Sequence, residues 1–145
     1  MAIWFNDIPK EQASSMREGT MMETLDIQIT EAGDDYIKGT MPVDHRTVQP
    51  YGILHGGASV TLAETLGSVA AHLIVDPEKY YCVGQEINAN HIRPATKGRV
   101  TGIAKPIHLG RSSQVWGIEI KDEDDRLICI SRITMAVVPK EKLKK

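Results

Sequence analysis

The chain has 145 residues and a formal charge of -2, from 17 Lys and Arg against 19 Asp and Glu, with no basic stripe; this argues against a nucleic-acid binder, which needs a cationic face. The length suits one domain with a real core. Cys82 and Cys129 lie in apolar, strand-like stretches without metal spacing, so reduced core thiols and a cytoplasmic setting are expected. The N-terminus, Met1 Ala2 Ile3 Trp4 Phe5 Asn6 Asp7, lacks the basic head and apolar run of a secretory signal.

Asp7 to Glu18, with Pro9 early and Gly19 as a stop, predicts a short N-terminal helix over about 8–18 that later elements could use as a lid. Leu25 to Thr30 alternates apolar and polar residues and predicts a half-buried strand; Gly33 Asp34 Asp35 is a turn, and Tyr36 to Val43 is a second strand in a hairpin with the first. Asp44 to Leu54 holds glycine and proline breakers and predicts a loop that delivers Gln49 and His55 to the next element.

That element is the run from Gly56 to Val75, which is rich in Ala, Leu and Val and carries one charged residue, Glu64. Its length favours a helix, begun at a glycine pair and stopped before Asp76 Pro77. A membrane span is disfavoured by the central acid, the leading glycines and the hydroxyls of Ser59, Thr61, Thr65 and Ser68. A helix apolar on nearly every side has to be enclosed, so the expectation is a sheet wrapped around it with Glu64 buried.

Tyr80 to Arg93, Gly98 to His108, Ser113 to Lys121 and Arg126 to Val138 predict four more strands. The connections Pro94 to Gly98, Leu109 Gly110 Arg111 and Asp122 to Asp125 are short and turn-like, so successive strands are expected to be antiparallel neighbours. The lysine-rich end, Lys140 to Lys145, reads as a frayed, solvated tail.

An α+β chain with about six antiparallel strands curled around one long helix is the hotdog arrangement. Leu54 His55 Gly56 Gly57 Ala58, Leu62 Ala63 Glu64 Thr65 and Gly67 Ser68 resemble the helix of the phenylacetic-acid-type hotdog thioesterases. Met41 Pro42 Val43 Asp44, Gln49 Pro50, Glu86 Ile87 Asn88 Ala89 Asn90 His91 and Gln114 Val115 Trp116 are similar to the 1,4-dihydroxy-2-naphthoyl-CoA hydrolase group. The likeness runs from Thr24 to Val138. It implies an acyl-CoA thioesterase with a preference for aromatic acyl groups and sites built between subunits, usually in a dimer of dimers. No cofactor is implied beyond the coenzyme A of the substrate.

The residues support the same chemistry independently. Thioester hydrolysis needs oxyanion donors, a nucleophile or base, and a grip on the coenzyme. The Gly56 N–H at a helix start and the side-chain amide of Gln49 are candidate donors. Glu64 is the candidate nucleophile or general base. Ser68, four residues on and on the same face, is assigned to orienting the carboxylate or a water; His55 is assigned to shaping the loop and contacting the thioester. Eight residues of helix separate Gly56 from Glu64, a rise of ~12 Å. One chain therefore cannot close the site, and an antiparallel second copy of the helix is expected to supply the missing half.

The coenzyme phosphates call for cations and backbone donors, and two clusters offer them: His91 Ile92 Arg93 Pro94, and His108 Leu109 Gly110 Arg111 Ser112 Ser113. In similar hydrolases these segments and Gly84 match coenzyme-contacting positions. Competing readings are a hotdog hydroxyacyl dehydratase, whose motif sets its histidine and helix acid at a longer separation than the nine residues from His55 to Glu64 with Gly56 Gly57 between, and a non-catalytic acyl-CoA binding module. A metal hydrolase is disfavoured because none of the five histidines pair at helical zinc spacing. No metal, nucleic-acid or membrane partner is expected.

Overall fold

The computed structural model describes residues 1–7 and 9–141; the expected tail residues 142–145 lie outside the described residues. Two short helices, α1 (Pro9–Ser15) and α2 (Met21–Thr24), lead into β1 (Gln28–Ala32) and β2 (Ile37–Pro42). The long helix α3 (Gly56–Ile74) follows, and then β3 (Tyr80–His91), β4 (Arg99–Leu109), β5 (Ser113–Lys121) and β6 (Leu127–Pro139). The strands form one antiparallel sheet in the order β1-β2-β4-β5-β6-β3, and α3 lies against β2 to β6.

Two rows of small and branched side chains explain why α3 lies there. Leu62, Leu66 and Ala70, spaced by four, and Ala63, Gly67 and Ala71 beside them are all buried. Each buried leucine contributes roughly 1.5–3 kcal/mol of transfer free energy. At Gly67 a Cβ would lie 2.5 Å from Ile133 Cγ2, so β6 approaches the helix backbone itself there.

Trp116, fully buried on β5, donates from Nε1 to Gln114 Oε1 (2.8 Å), and Gln114 Nε2 donates to Ala71 O (3.5 Å) at the rear of α3. Both buried polar groups are thus satisfied. Trp4 stacks on Trp116 with ring centroids 6.3 Å apart and donates to Gly33 O (2.7 Å), while Phe5 N–H donates to Leu73 O (2.9 Å). The N-terminal segment thereby seals the rear of the helix.

Three expectations change. The N-terminal helix stops at Ser15 instead of running to Glu18, and α2 forms separately after Gly19, capped by Thr20 Oγ1 accepting from Met22 N–H. The first strand begins at Gln28 rather than Leu25, because Asp26 takes a left-handed backbone (φ 53°). Arg17 (2.5 Å) and Arg99 (2.8 Å) hold its carboxylate in that turn. The hydrogen bond from Gln28, then that from Arg99, draws the Asp26 pKa below the usual carboxylate value.

The third change matters most for function: β3 and β4 are not neighbours. β4 pairs with β2, and β3 pairs with β6 at the far edge of the sheet. The connection between them is no hairpin, because Ala95 O accepts from Leu54 N–H and Gly98 O from Val43 N–H, both at 2.8 Å. Anchored to the loop before α3, it carries the chain across and leaves β3 with one unpaired edge.

Candidate active site

The loop before α3 is fixed by short-range hydrogen bonds. Asp44 accepts from Arg46 N–H (2.9 Å) and from its guanidinium (2.6 Å at the nearer contact), which lowers the Asp44 pKa to about 2. Thr47 is buried; its hydroxyl donates to Pro42 O (2.7 Å) and accepts from Asp44 N–H (3.1 Å), and its carbonyl accepts from His55 N–H (2.8 Å). Thr47 was not among the residues singled out from the sequence, although Asp44 with a threonine three residues on is a turn signature that could have found it.

His55 is the N-cap of α3: its Nδ1 accepts from Gly57 N–H at 2.8 Å. A ring nitrogen that accepts carries no proton, so the neutral imidazole has its hydrogen on Nε2. Ala58 and Ser59 donate to His55 O, and among the described residues the Gly56 N–H has no acceptor. It is an open donor at the positive end of a helix of 19 residues.

Gln49 is half-buried in the same loop, and its Oε1 accepts from Tyr51 N–H. His91, at the end of β3, closes the other side: a Cβ on Gly56 would lie 2.8 Å from His91 Nε2. Gly56, His55 and His91 therefore gather at the helix start, with Gln49 in the turn of the hairpin that leads to it.

Glu64 does not join them. The expectation of a buried carboxylate is overturned: Glu64 is exposed, beside the edge strand β3. Gly84 of β3 lies against it: a Cβ there would be 3.0 Å from Glu64 Oε1. Beside Gly84 the β3–β6 register slips between Gly84 and Glu86, a bulge on the open edge. Ser68 lies on the same helix, but its hydroxyl donates to Met135 Sδ (3.8 Å) and not to Glu64.

The two coenzyme clusters are likewise apart. His91 stands level with Cys129, with Ile92, Arg93 and Pro94 exposed beyond it, whereas Ser113 at the end of the β4–β5 turn stands level with Ala136 and hence with Val83. Those levels differ by eight residues of β3 (91 − 83), roughly 25 Å along the strand. His108, Leu109, Arg111 and Ser112 are exposed, and Gly110 N–H donates to Ser113 O (2.8 Å) to close the turn. One chain thus places the open Gly56 N–H near one end of β3 and Glu64 with a basic turn near the other.

The family model described as the thioesterase superfamily matches residues 51–129. The chain belongs to that superfamily. A relative from Escherichia coli, 1,4-dihydroxy-2-naphthoyl-CoA hydrolase, is 54% identical over 136 residues, covering 94% of this chain and 99% of its own. The proofreading thioesterase EntH of Cronobacter turicensis is 48% identical, with 94% and 98% covered. The crystal structure of the Q49A mutant of a Pseudomonas aeruginosa thioesterase superposes with a TM-score of 0.93 at 47% identity, over 95% of this chain and 99% of that one. The fold is the hotdog, and the chain is a thioesterase of the thioester hydrolase class. No helix of the described residues is long and apolar enough to cross a membrane.

Proposed function

We propose that this thioesterase hydrolyses acyl-CoA thioesters to the free acid and coenzyme A, with aromatic acyl groups of the 1,4-dihydroxy-2-naphthoyl type preferred, at sites that two copies build together. The observation that carries the reading is the division of the machinery. An open Gly56 N–H lies beside His91 at one end of β3, with Gln49 in the hairpin that leads to the helix, while Glu64 rests against Gly84 on the strand's unpaired edge. An edge strand of 12 residues is a template for another strand. Pairing it antiparallel with its own copy turns the Gly84 region of one subunit toward the His91 region of the other. Glu64 of one copy then faces Gly56 and Gln49 of its partner. The same pairing brings residues 91–94 of one copy toward the 108–113 turn of the other, so the coenzyme is gripped across the seam.

In this site the thioester oxygen accepts from the Gly56 N–H and the Gln49 amide, which stabilise the negative charge that develops on it. Glu64 takes a proton from water as hydroxide adds to the acyl carbon, or adds there itself. In the first route the tetrahedral oxyanion collapses, the carbon–sulfur bond breaks, and the departing thiolate recovers the proton from Glu64. In the second, thiolate leaves an acyl-glutamate anhydride, which water then hydrolyses. Label found in the Glu64 carboxylate after single-turnover hydrolysis in labelled water would mark the anhydride route with water adding at the glutamyl carbon, since the general-base route puts water oxygen only into the product acid.

The assembly we favour is a dimer of such dimers, formed through the outer sheet face where Ile107, Leu109 and Ile130 are exposed. A solution mass tests it. The setting we favour is the cytoplasm, in keeping with Cys82 and Cys129 as free thiols whose pKa values burial raises, that of Cys82 to about 11.

The decisive assay ranks kcat/KM for 1,4-dihydroxy-2-naphthoyl-CoA, benzoyl-CoA and medium-chain acyl-CoAs. The expected order has the bicyclic aromatic thioester first. A medium-chain substrate at the head of the order would overturn the aromatic preference, and failure to release thiol from any of them would overturn the acyl-CoA reading.

A further inference from the structure

A glutamine at an oxyanion site has an intrinsic ambiguity. Its amide can present either NH2, which stabilises negative charge, or oxygen, which repels it. The turn around Gln49 removes that choice. Gln49 N–H donates to Ile53 O (2.9 Å), Gly52 N–H donates to Gln49 O (2.8 Å), and Val48 bridges to Leu54 across the base. Inside this turn the Tyr51 N–H points at the Gln49 side chain and is bonded to its Oε1. A backbone N–H can only donate, so turning the amide over would set donor against donor and lose the bond. The oxygen is held by the turn, and Nε2 has no acceptor among the described residues.

What makes the turn possible is Gly52. Its φ is +78°, in the left-handed region, and a Cβ built there would meet nothing within 4 Å. The glycine is therefore required for its backbone angle and not for space. Tyr51, whose side chain is 90% exposed, serves the turn through its main chain.

We infer that Gly52 is a positioning residue, whose left-handed backbone sets the Tyr51 N–H on the Gln49 amide oxygen and so presents the Gln49 NH2 to the substrate oxygen. This rests on the reading of Gln49 as an oxyanion donor. The residue touches no reacting atom; it acts through Gln49 alone.

The test compares Gly52→Ala, Gly52→Asn, Gln49→Ala and the double variant Gln49→Ala/Gly52→Ala in acyl-CoA hydrolysis, with hydrogen exchange of the Tyr51 amide as a readout independent of turnover. Alanine resists the left-handed region and should lower kcat by about tenfold with little change in KM, because the lost interaction belongs to the transition state. Asparagine is larger but tolerates that region, and should stay within about threefold of the parent. Tyr51 amide exchange should quicken in Gly52→Ala and Gln49→Ala but not in Gly52→Asn. In the Gln49→Ala background, Gly52→Ala should cost nothing more.

Asparagine as harmful as alanine would show that space rather than backbone angle is at issue, and would overturn the inference. So would losses that multiply in the double variant, the mark of a general structural role. An unchanged kcat in Gln49→Ala would remove the oxyanion assignment and the inference with it, whereas a loss in Gln49→Ala with multiplying effects removes the inference alone.

Discussion

The two sides of α3 follow different rules. On one, Leu62, Leu66, Ala70, Ala63, Gly67 and Ala71 are buried against the sheet of their own chain, and at Gly67 the contact is so close that β6 would collide with any side chain. On the other, Gly57 and Glu64 are exposed and Thr61 and Ser68 only half-buried. The first side is complete in one molecule and is the source of stability. The second carries the one acid of the helix, away from the open Gly56 N–H at its start. On the proposed reading one helix is a finished core element and half of a catalytic site at once, and changes on its two sides should part company.

Glu64→Gln should show the largest separation. Thiol release falls by at least ~10²-fold, the scale of a lost base or nucleophile, while stability stays within about 0.5 kcal/mol because the residue is exposed. Denaturant unfolding beside steady-state kinetics checks both halves. Leu66→Ala should show the reverse, losing ~2–5 kcal/mol of stability by leaving a cavity against the sheet, with kcat of the folded fraction retained. A smaller loss of the same kind is expected from Gly67→Ala, ~1–3 kcal/mol, as Ile133 and the helix are forced apart.

The smallest effect concerns the loop that leads to the open side. The Arg46 hydrogen bonds hold the Asp44 pKa at about 2, below its ordinary 3.8, so the ionised clip stabilises the folded state fully above the upper value. That contribution is lost as pH falls through the lower value. Asp44→Asn should therefore lower Tm slightly at neutral pH, and the gap from the parent should shrink between about pH 4 and pH 2; a constant gap across that window would mean that the clip does not act through its charge.

The same division explains what was legible in the sequence. The limits of α3 were readable because Gly56 Gly57 and Asp76 Pro77 are local signals, and the predicted strand Ser113 to Lys121 coincides with β5. That a loop carrying Gln49 and His55 leads into the start of α3 was readable from its glycine and proline breakers. The edge position of β3 was not readable, since it depends on Ala95 and Gly98 anchoring a crossing segment to the loop before α3. Nor was the exposure of Glu64: a run of Ala, Leu and Val around one acid shows that the helix is apolar, but not which residues its own sheet will cover. The placement of His91 over Gly56, and of the 108–113 turn far from it, likewise depends on strand register.

The central claim is that donors and carboxylate of one site come from different copies of the chain. Mixing Gln49→Ala and Glu64→Gln subunits under conditions that allow exchange tests it directly, because each variant alone has two broken sites while a hybrid pair carries one intact site and one doubly broken. Random exchange of equal amounts makes half the dimers hybrid, so activity should rise on mixing to about a quarter of the parent value. Verified exchange without any gain over the separate variants would contradict the shared site.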